Sequence, residues 1–135
     1  MGMYGDLKMK SSKFVINGRL SSLNEYTLAN RGNRYGGNSM KRKNEAIIVE
    51  AIMKAKLEKV TEYPVKLKIS WYEPNKRRDI DNIVFATKFI QDSLVNIGVL
   101  ENDSQKYITQ LEHKVLVDKE CPRVEVVIER VEVKC

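Results

Sequence analysis

The chain is poor in residues that staple or ligate. Its 135 residues include two cysteines, one histidine, one tryptophan, three phenylalanines and three prolines. Cys121 precedes Pro122 in an apparent turn and Cys135 is the last residue. Neither has a Cys or His partner at metal-ligand spacing, which argues against a zinc site. Both are read as incidental thiols of a reducing compartment, since two cysteines make no disulfide framework. His113 lies in a strand-like run with no nucleophile pattern to support a catalytic dyad, so it is read as structural. No apolar run reaches the length of a membrane span, and no apolar secretory segment stands near the N-terminus. The expected location is therefore cytoplasmic, with no membrane partner and no organic cofactor.

What is present is ordinary in amount and uneven in placement. Hydrophobic residues make up 42% and charged residues 31% of the chain, the balance of a globular protein. The length suits one domain over residues 1–135 with a modest core. The formal net charge is +6, with nine Lys or Arg and three acids in residues 1–45 and fifteen of each sign thereafter. All the excess positive charge thus lies in the first third. Such a segment concentrates polyanions and points to a nucleic-acid surface; a basic tail that only aids solubility would look the same by charge.

Residues 1–11 lack periodicity and are expected to be a disordered leader. A first strand over Lys13–Ile16 ends at the Asn17-Gly18 turn signal. Residues 19–43 are polar, basic and glycine-containing and read as a long loop. There Asn24, Tyr26, Arg31 and Arg34 mix donors, cations and an aromatic ring, which suits phosphate contact and base stacking. Residues 44–60 read as a helix capped by Asn44, with Ile48, Ala51, Ile52 and Ala55 on its core face. Residues 64–72 alternate as a half-buried strand. A second helix is expected from about Asp81 to Ile97, stopped by Gly98. Strands over 106–117 and 123–131 are expected to pair as a hairpin. The order is β-α-β-α-β-β, an α/β (α+β) single domain with a mixed sheet and two main helices.

One stretch stands out: Asn75-Lys76-Arg77-Arg78-Asp79-Ile80-Asp81-Asn82. Three cations run into two carboxylates where a strand gives way to a helix. Fixed carboxylates can hold a divalent cation and fixed cations can hold phosphate, the two needs of metal-dependent phosphodiester cleavage. The same residues also fit a simpler role, Asp79 or Asp81 as a helix cap and Lys76, Arg77 and Arg78 as a solvated loop. Lys88 follows Asp81 by seven residues, two turns along the expected helix.

Arg78-Asp79-Ile-Asp81-Asn82, a helix bearing Lys88, and Gly98-Val-Leu-Glu-Asn102-Asp103-Ser-Gln105 together resemble the RusA family of Holliday-junction resolvases. Phe14-Val-Ile-Asn-Gly-Arg19 and Asn24-x-Tyr26 resemble that family's opening strand and turn. The resemblance covers roughly residues 13–130. It implies a homodimeric endodeoxyribonuclease that needs Mg2+, with Mn2+ as a substitute, and that nicks four-way or branched DNA symmetrically in recombination and repair. It assigns Asp79, Asp81 and Asp103 as metal ligands, Lys88 as the lysine needed for cleavage and Arg78 as the arginine before the first aspartate; by their charge Arg78, Arg77 and Lys76 are read as nucleic-acid contacts. The sequence departs from the family pattern at Asn102, where an acid is usual, and by about one helical turn before Lys88. A non-catalytic nucleic-acid-binding α/β module built on residues 19–43 is the alternative.

Overall fold

The computed structural model describes residues 11–32 and 35–132. The expected leader, Arg34 and Cys135 lie outside these residues, apart from Ser11, which opens the first strand. The alternating run becomes β2, Val65–Glu73, with Val65, Leu67, Ile69 and Trp71 no more than 2% exposed. Lys66, Lys68 and Ser70 point to the opposite, half-buried face, as a period of two requires. The other strands are β1 (Ser11–Asn17), β3 (Ile108–Val117) and β4 (Arg123–Arg130).

They form one four-stranded sheet in the order β1-β4-β2-β3. β4 runs antiparallel to both β1 and β2, and β3 runs parallel to β2. The sheet is mixed, as expected, but β3 and β4 are not a hairpin; β2 lies between them. β4, with Val124, Val126 and Ile128 buried, pairs on both sides, with β1 and β2, whereas β3 is exposed along most of its length and takes the edge beyond β2. The intervening residues cross the end of β2, where the Asp118 N–H donates to the Glu73 carbonyl (2.8 Å). Arg123 then fixes the turn through Asp118 Oδ2 (2.7 Å) and the Cys121 carbonyl (3.0 Å).

The helices depart further from the sequence reading. The long loop is instead α1 (Leu23–Gly32) followed by α2 (Gly36–Ala55). Ser22 and Glu25 form a capping box: the Glu25 N–H donates to Ser22 Oγ (3.1 Å) and the Ser22 N–H to Glu25 Oε1 (3.0 Å). Glycine at the start of α2 marks a close crossing, not a break. A side chain on Gly36 would strike the Ala29 backbone, and one on Gly37 the Asn30 side chain. Asn44 caps nothing. It is buried inside α2, where Nδ2 donates to Ser21 Oγ (2.9 Å) and the Met40 carbonyl (2.8 Å) and Oδ1 accepts from the Ser21 N–H (2.9 Å). α2 stops before Val60, because Lys56 turns into the left-handed region at φ 54°.

The expected helix after β2 is split into α3 (Ile80–Val84) and α4 (Thr87–Asn96). The Thr87 hydroxyl donates to the Val84 carbonyl, the acceptor that the Lys88 N–H would use in a continuous helix. The simple projection from Asp81 to Lys88 along one axis therefore does not hold. Ile83, Ala86, Ile90 and Leu94 are buried as expected, while Ile97 is 38% exposed at the helix end and Gly98 turns the chain at φ 84°. Ile48 and Ile52 of α2 join Ile90 and Leu94 of α4, Phe14 and Ile16 of β1 and the buried side of β2 and β4 in one core. No helix among the described residues is long and apolar enough to cross a membrane.

His113 is structural, as its strand setting suggested. Its Nδ1 accepts the Trp71 Nε1–H (3.0 Å), and burial holds its pKa below the ordinary imidazole value. The folded form thus binds a proton less readily than the unfolded chain. Stability is present above the ordinary value of ~6.5 and is lost as pH falls through it. The urea midpoint, followed by emission of the single tryptophan, should drop between about pH 7.5 and about pH 5.5, and drop less in His113→Gln. Equal pH slopes in the two proteins would remove His113 from the account.

Candidate active site

The site is built where β2 ends. Glu73 is buried at 5% exposure and accepts from Arg19 Nη2 at 2.6 Å. The chain then leaves the sheet through Pro74, and Asn75 Oδ1 receives the Arg77 N–H (3.0 Å) in a side-chain-closed turn. Asp79 follows in extended conformation (φ −71°, ψ 157°) at the N-cap of α3. Its carbonyl accepts the Ile83 N–H (3.2 Å), yet its side chain makes no capping bond. Asp81 lies in the first turn of α3. Both side chains are exposed, and neither has a hydrogen-bond or ion-pair partner among the described residues. The cap role that Asp79 could have filled is left unfilled.

The residues on either side of the two aspartates are engaged. Arg78 Nη2 donates to Glu25 Oε1 (2.6 Å) and Nη1 to the Leu20 carbonyl (3.2 Å). Asn82 Oδ1 accepts the Asn24 N–H (3.1 Å), satisfying an orphan donor at the start of α1 from another element. Tyr26 packs its ring against Phe85 (5.2 Å between centroids) and Phe89 (6.1 Å). Of the residues expected on nucleic acid, Arg78 and Tyr26 by their side chains and Asn24 by its backbone N–H join α1 to α3 and α4. Partial burial opposes ionisation of Glu25. The Ser22 bonds with Arg78 and Arg19 outweigh it, and the carboxyl titrates below its ordinary value. Lys76, Arg77 and Arg31 are exposed and have no ion-pair partner among the described residues.

The third aspartate lies in the loop after α4. Asp103 Oδ2 accepts from Lys88 Nζ (2.9 Å), and the same ammonium reaches Asp92 Oδ1 (3.0 Å). Donating hydrogen bonds to Asp103 and then to Asp92 raises the Lys88 pKa above its ordinary value, so it is a cation at any physiological pH. Asn102 spends its side-chain carbonyl on the loop: Oδ1 accepts the N–H groups of Asp103 (2.7 Å) and Ser104 (3.2 Å). Behind Asp92, Lys41 of α2 lies 3.5 Å away and 4.0 Å from Glu45 Oε2. That oxygen is buried without a hydrogen bond, and burial raises the Glu45 pKa.

The structure thus gathers Lys88 with Asp103, and Asp79 with Asp81, as two halves. Among the described residues no three acidic, histidine or cysteine side chains form a group able to hold a metal ion. The donor chemistry nevertheless fits a hard divalent cation. Every candidate ligand is a carboxylate oxygen, two of the three carboxylates are exposed without partners, and the third is already neutralised by a cation. Asp92 stands a turn beyond Lys88 in the sequence, but Lys41, Glu45 and Glu25 did not emerge from it as parts of this neighbourhood. The i,i+4 spacing of Lys88 and Asp92 and the Ser22-x-x-Glu25 box were the available signals.

A sequence model described as endodeoxyribonuclease RusA matches residues 21–129. Among curated proteins, none matches the chain.

Glu25 serves both the capping box and the Arg78 contact. Glu25→Ala should cost about 1–2 kcal/mol, read from the urea midpoint at unchanged slope. A loss no larger than that of an exposed Glu50→Ala control would show that the join contributes nothing to stability.

Proposed function

The chain belongs to the RusA endodeoxyribonuclease family, and on that premise we propose that it resolves four-way Holliday junctions by paired symmetric nicks. The cleavage depends on magnesium, with manganese able to substitute, and serves recombination and repair in the cytoplasm. Residues 1–135 act as one catalytic domain.

One observation carries the reading. Asp79 stands at a helix N-cap without capping it, two residues from an equally unpartnered Asp81. The alternative, a binding module with aspartate caps, has no use for that arrangement. Asp79, Asp81 and Asp103 would hold the cation, whose chemistry is to polarise the scissile phosphate and acidify an attacking water. Lys88 places a positive charge beside Asp103, where it can meet charge growing on phosphoryl oxygens. Arg78 acts from behind, keeping the turn that bears Asp79 fastened to α1. Lys76, Arg77 and Arg31 are free to contact backbone phosphates, with Arg34 added from its place in the sequence. No side-chain nucleophile is required.

Asp81→Asn should cut a four-way junction at least ~100-fold more slowly in magnesium. Its junction affinity in chelator should stay within about twofold of wild type, because phosphate contacts dominate binding. A variant that cuts as well as wild type overturns the assignment. Two nicks related by a two-fold axis also call for two copies of the site, so the active species is a homodimer. Light scattering at assay concentration should give twice the chain mass; a monomer with intact junction cleavage would remove this part.

A further inference from the structure

Asp92 has no place in the proposed metal set, yet its two oxygens are divided between two cations. Oδ1 lies 3.0 Å from Lys88 Nζ and Oδ2 lies 3.5 Å from Lys41 Nζ. Asp92 is 18% exposed, whereas the Lys88 side chain is 63% exposed. A long, solvated lysine samples many rotamers unless something fixes its ammonium. Asp103 fixes it in part, at 2.9 Å, but Asp103 is also wanted as a ligand. When that carboxylate turns to a divalent cation, Asp92 is the other acid bonded to Lys88. It lies one turn further along α4, at the i,i+4 spacing that keeps two side chains adjacent. Lys41 fixes Asp92 from α2 and also lies 4.0 Å from Glu45 Oε2, so the arrangement is anchored in a second helix.

We infer that Asp92 is a positioning residue that holds the Lys88 ammonium at the cleavage site, with Lys41 of α2 fixing Asp92 in turn. The inference rests on the proposed role of Lys88. A merely structural ion pair between α2 and α4 is the competing account. It predicts a loss of stability and any loss of rate independent of Lys88.

The test compares wild type, Asp92→Asn, Lys88→Met and the double variant on a four-way junction. Single-turnover rates in magnesium, junction dissociation constants in chelator and melting temperatures are measured for each. Asp92→Asn should cut at least ~10-fold more slowly, as expected for a displaced catalytic group. It should bind the junction within about twofold of wild type, since the phosphate contacts are untouched. The double variant should be no slower than Lys88→Met, because Asp92 acts only through that lysine. Asp92→Glu should recover part of the rate. Full activity in Asp92→Asn with an inactive Lys88→Met overturns the inference and leaves the proposed site standing. Full activity in Lys88→Met overturns the role of the lysine and the inference with it. Equal slowing by Asp92→Asn in the wild-type and Lys88→Met backgrounds assigns Asp92 the structural role and also overturns the inference. If Asp92→Asn melts within the assay range, Lys41→Gln replaces it in the same cycle, judged by the same outcomes.

Discussion

The buried carboxylate of Glu73 sets the terms for everything near the site. A lone charge at 5% exposure costs several kcal/mol, and only a partner with good geometry offsets it. Arg19 is that partner at 2.6 Å, so the chain after β1 must come to the end of β2. Once there, Leu20 presents its carbonyl to Arg78, Ser21 is taken by Asn44, and Ser22 starts α1. Each contact is modest on its own, about 1 kcal/mol for a typical hydrogen bond. Together they give the turn after β2 a fixed wall to lie against.

That wall explains how charged groups can be both exposed and ordered. Asp79 and Asp81 face solvent, where two like charges cost little while screened. Their backbone is held by neighbours pointing the other way, Arg78 toward Glu25 and Asn82 toward Asn24. Arg78 and Asn82 thus support the turn from one side, and the carboxylates of Asp79 and Asp81 between them stay unpartnered among the described residues. Across the site, Asp103 is balanced by Lys88 and not left bare. The unpartnered acidic half and the balanced half thus differ in charge.

Much of this was legible in the sequence where the physics is local. Alternation along residues 64 to 72 gave β2 with its inward and outward sides, because a strand with one buried face leaves no other pattern. Asn17-Gly18 and Gly98 gave turns that the structure places at positive φ for both glycines. The Asp79-x-Asp81 pair stood out by residue type and spacing, and Asp103 only through the resemblance to the RusA family. What failed depended on partners remote in sequence. α1 has no fully buried residue and so no apolar stripe to announce it; it is held by the box at Ser22, by Asn82 and Arg78, and by Tyr26 against Phe85 and Phe89. Gly36 and Gly37 looked like loop residues because the crossing with Ala29 and Asn30 cannot be seen locally. The pairing of β4 with β1 and β2 joins strands remote in sequence, a property of the whole sheet.

The strand order also has a consequence in time. β4 is made after β1, β2 and β3 and is the strand that joins β1 to β2. During synthesis β2 and β3 can meet through their helical crossover, but β1 has no strand to pair with until residue 123 and those after it leave the ribosome. The nascent chain therefore carries an unsealed apolar sheet until the end of the domain appears, and closure is one late, non-local event. A nuclease organised this way acquires its Arg19–Glu73 anchorage and its core in the same step, so partly made chains lack the wall that orders the aspartates.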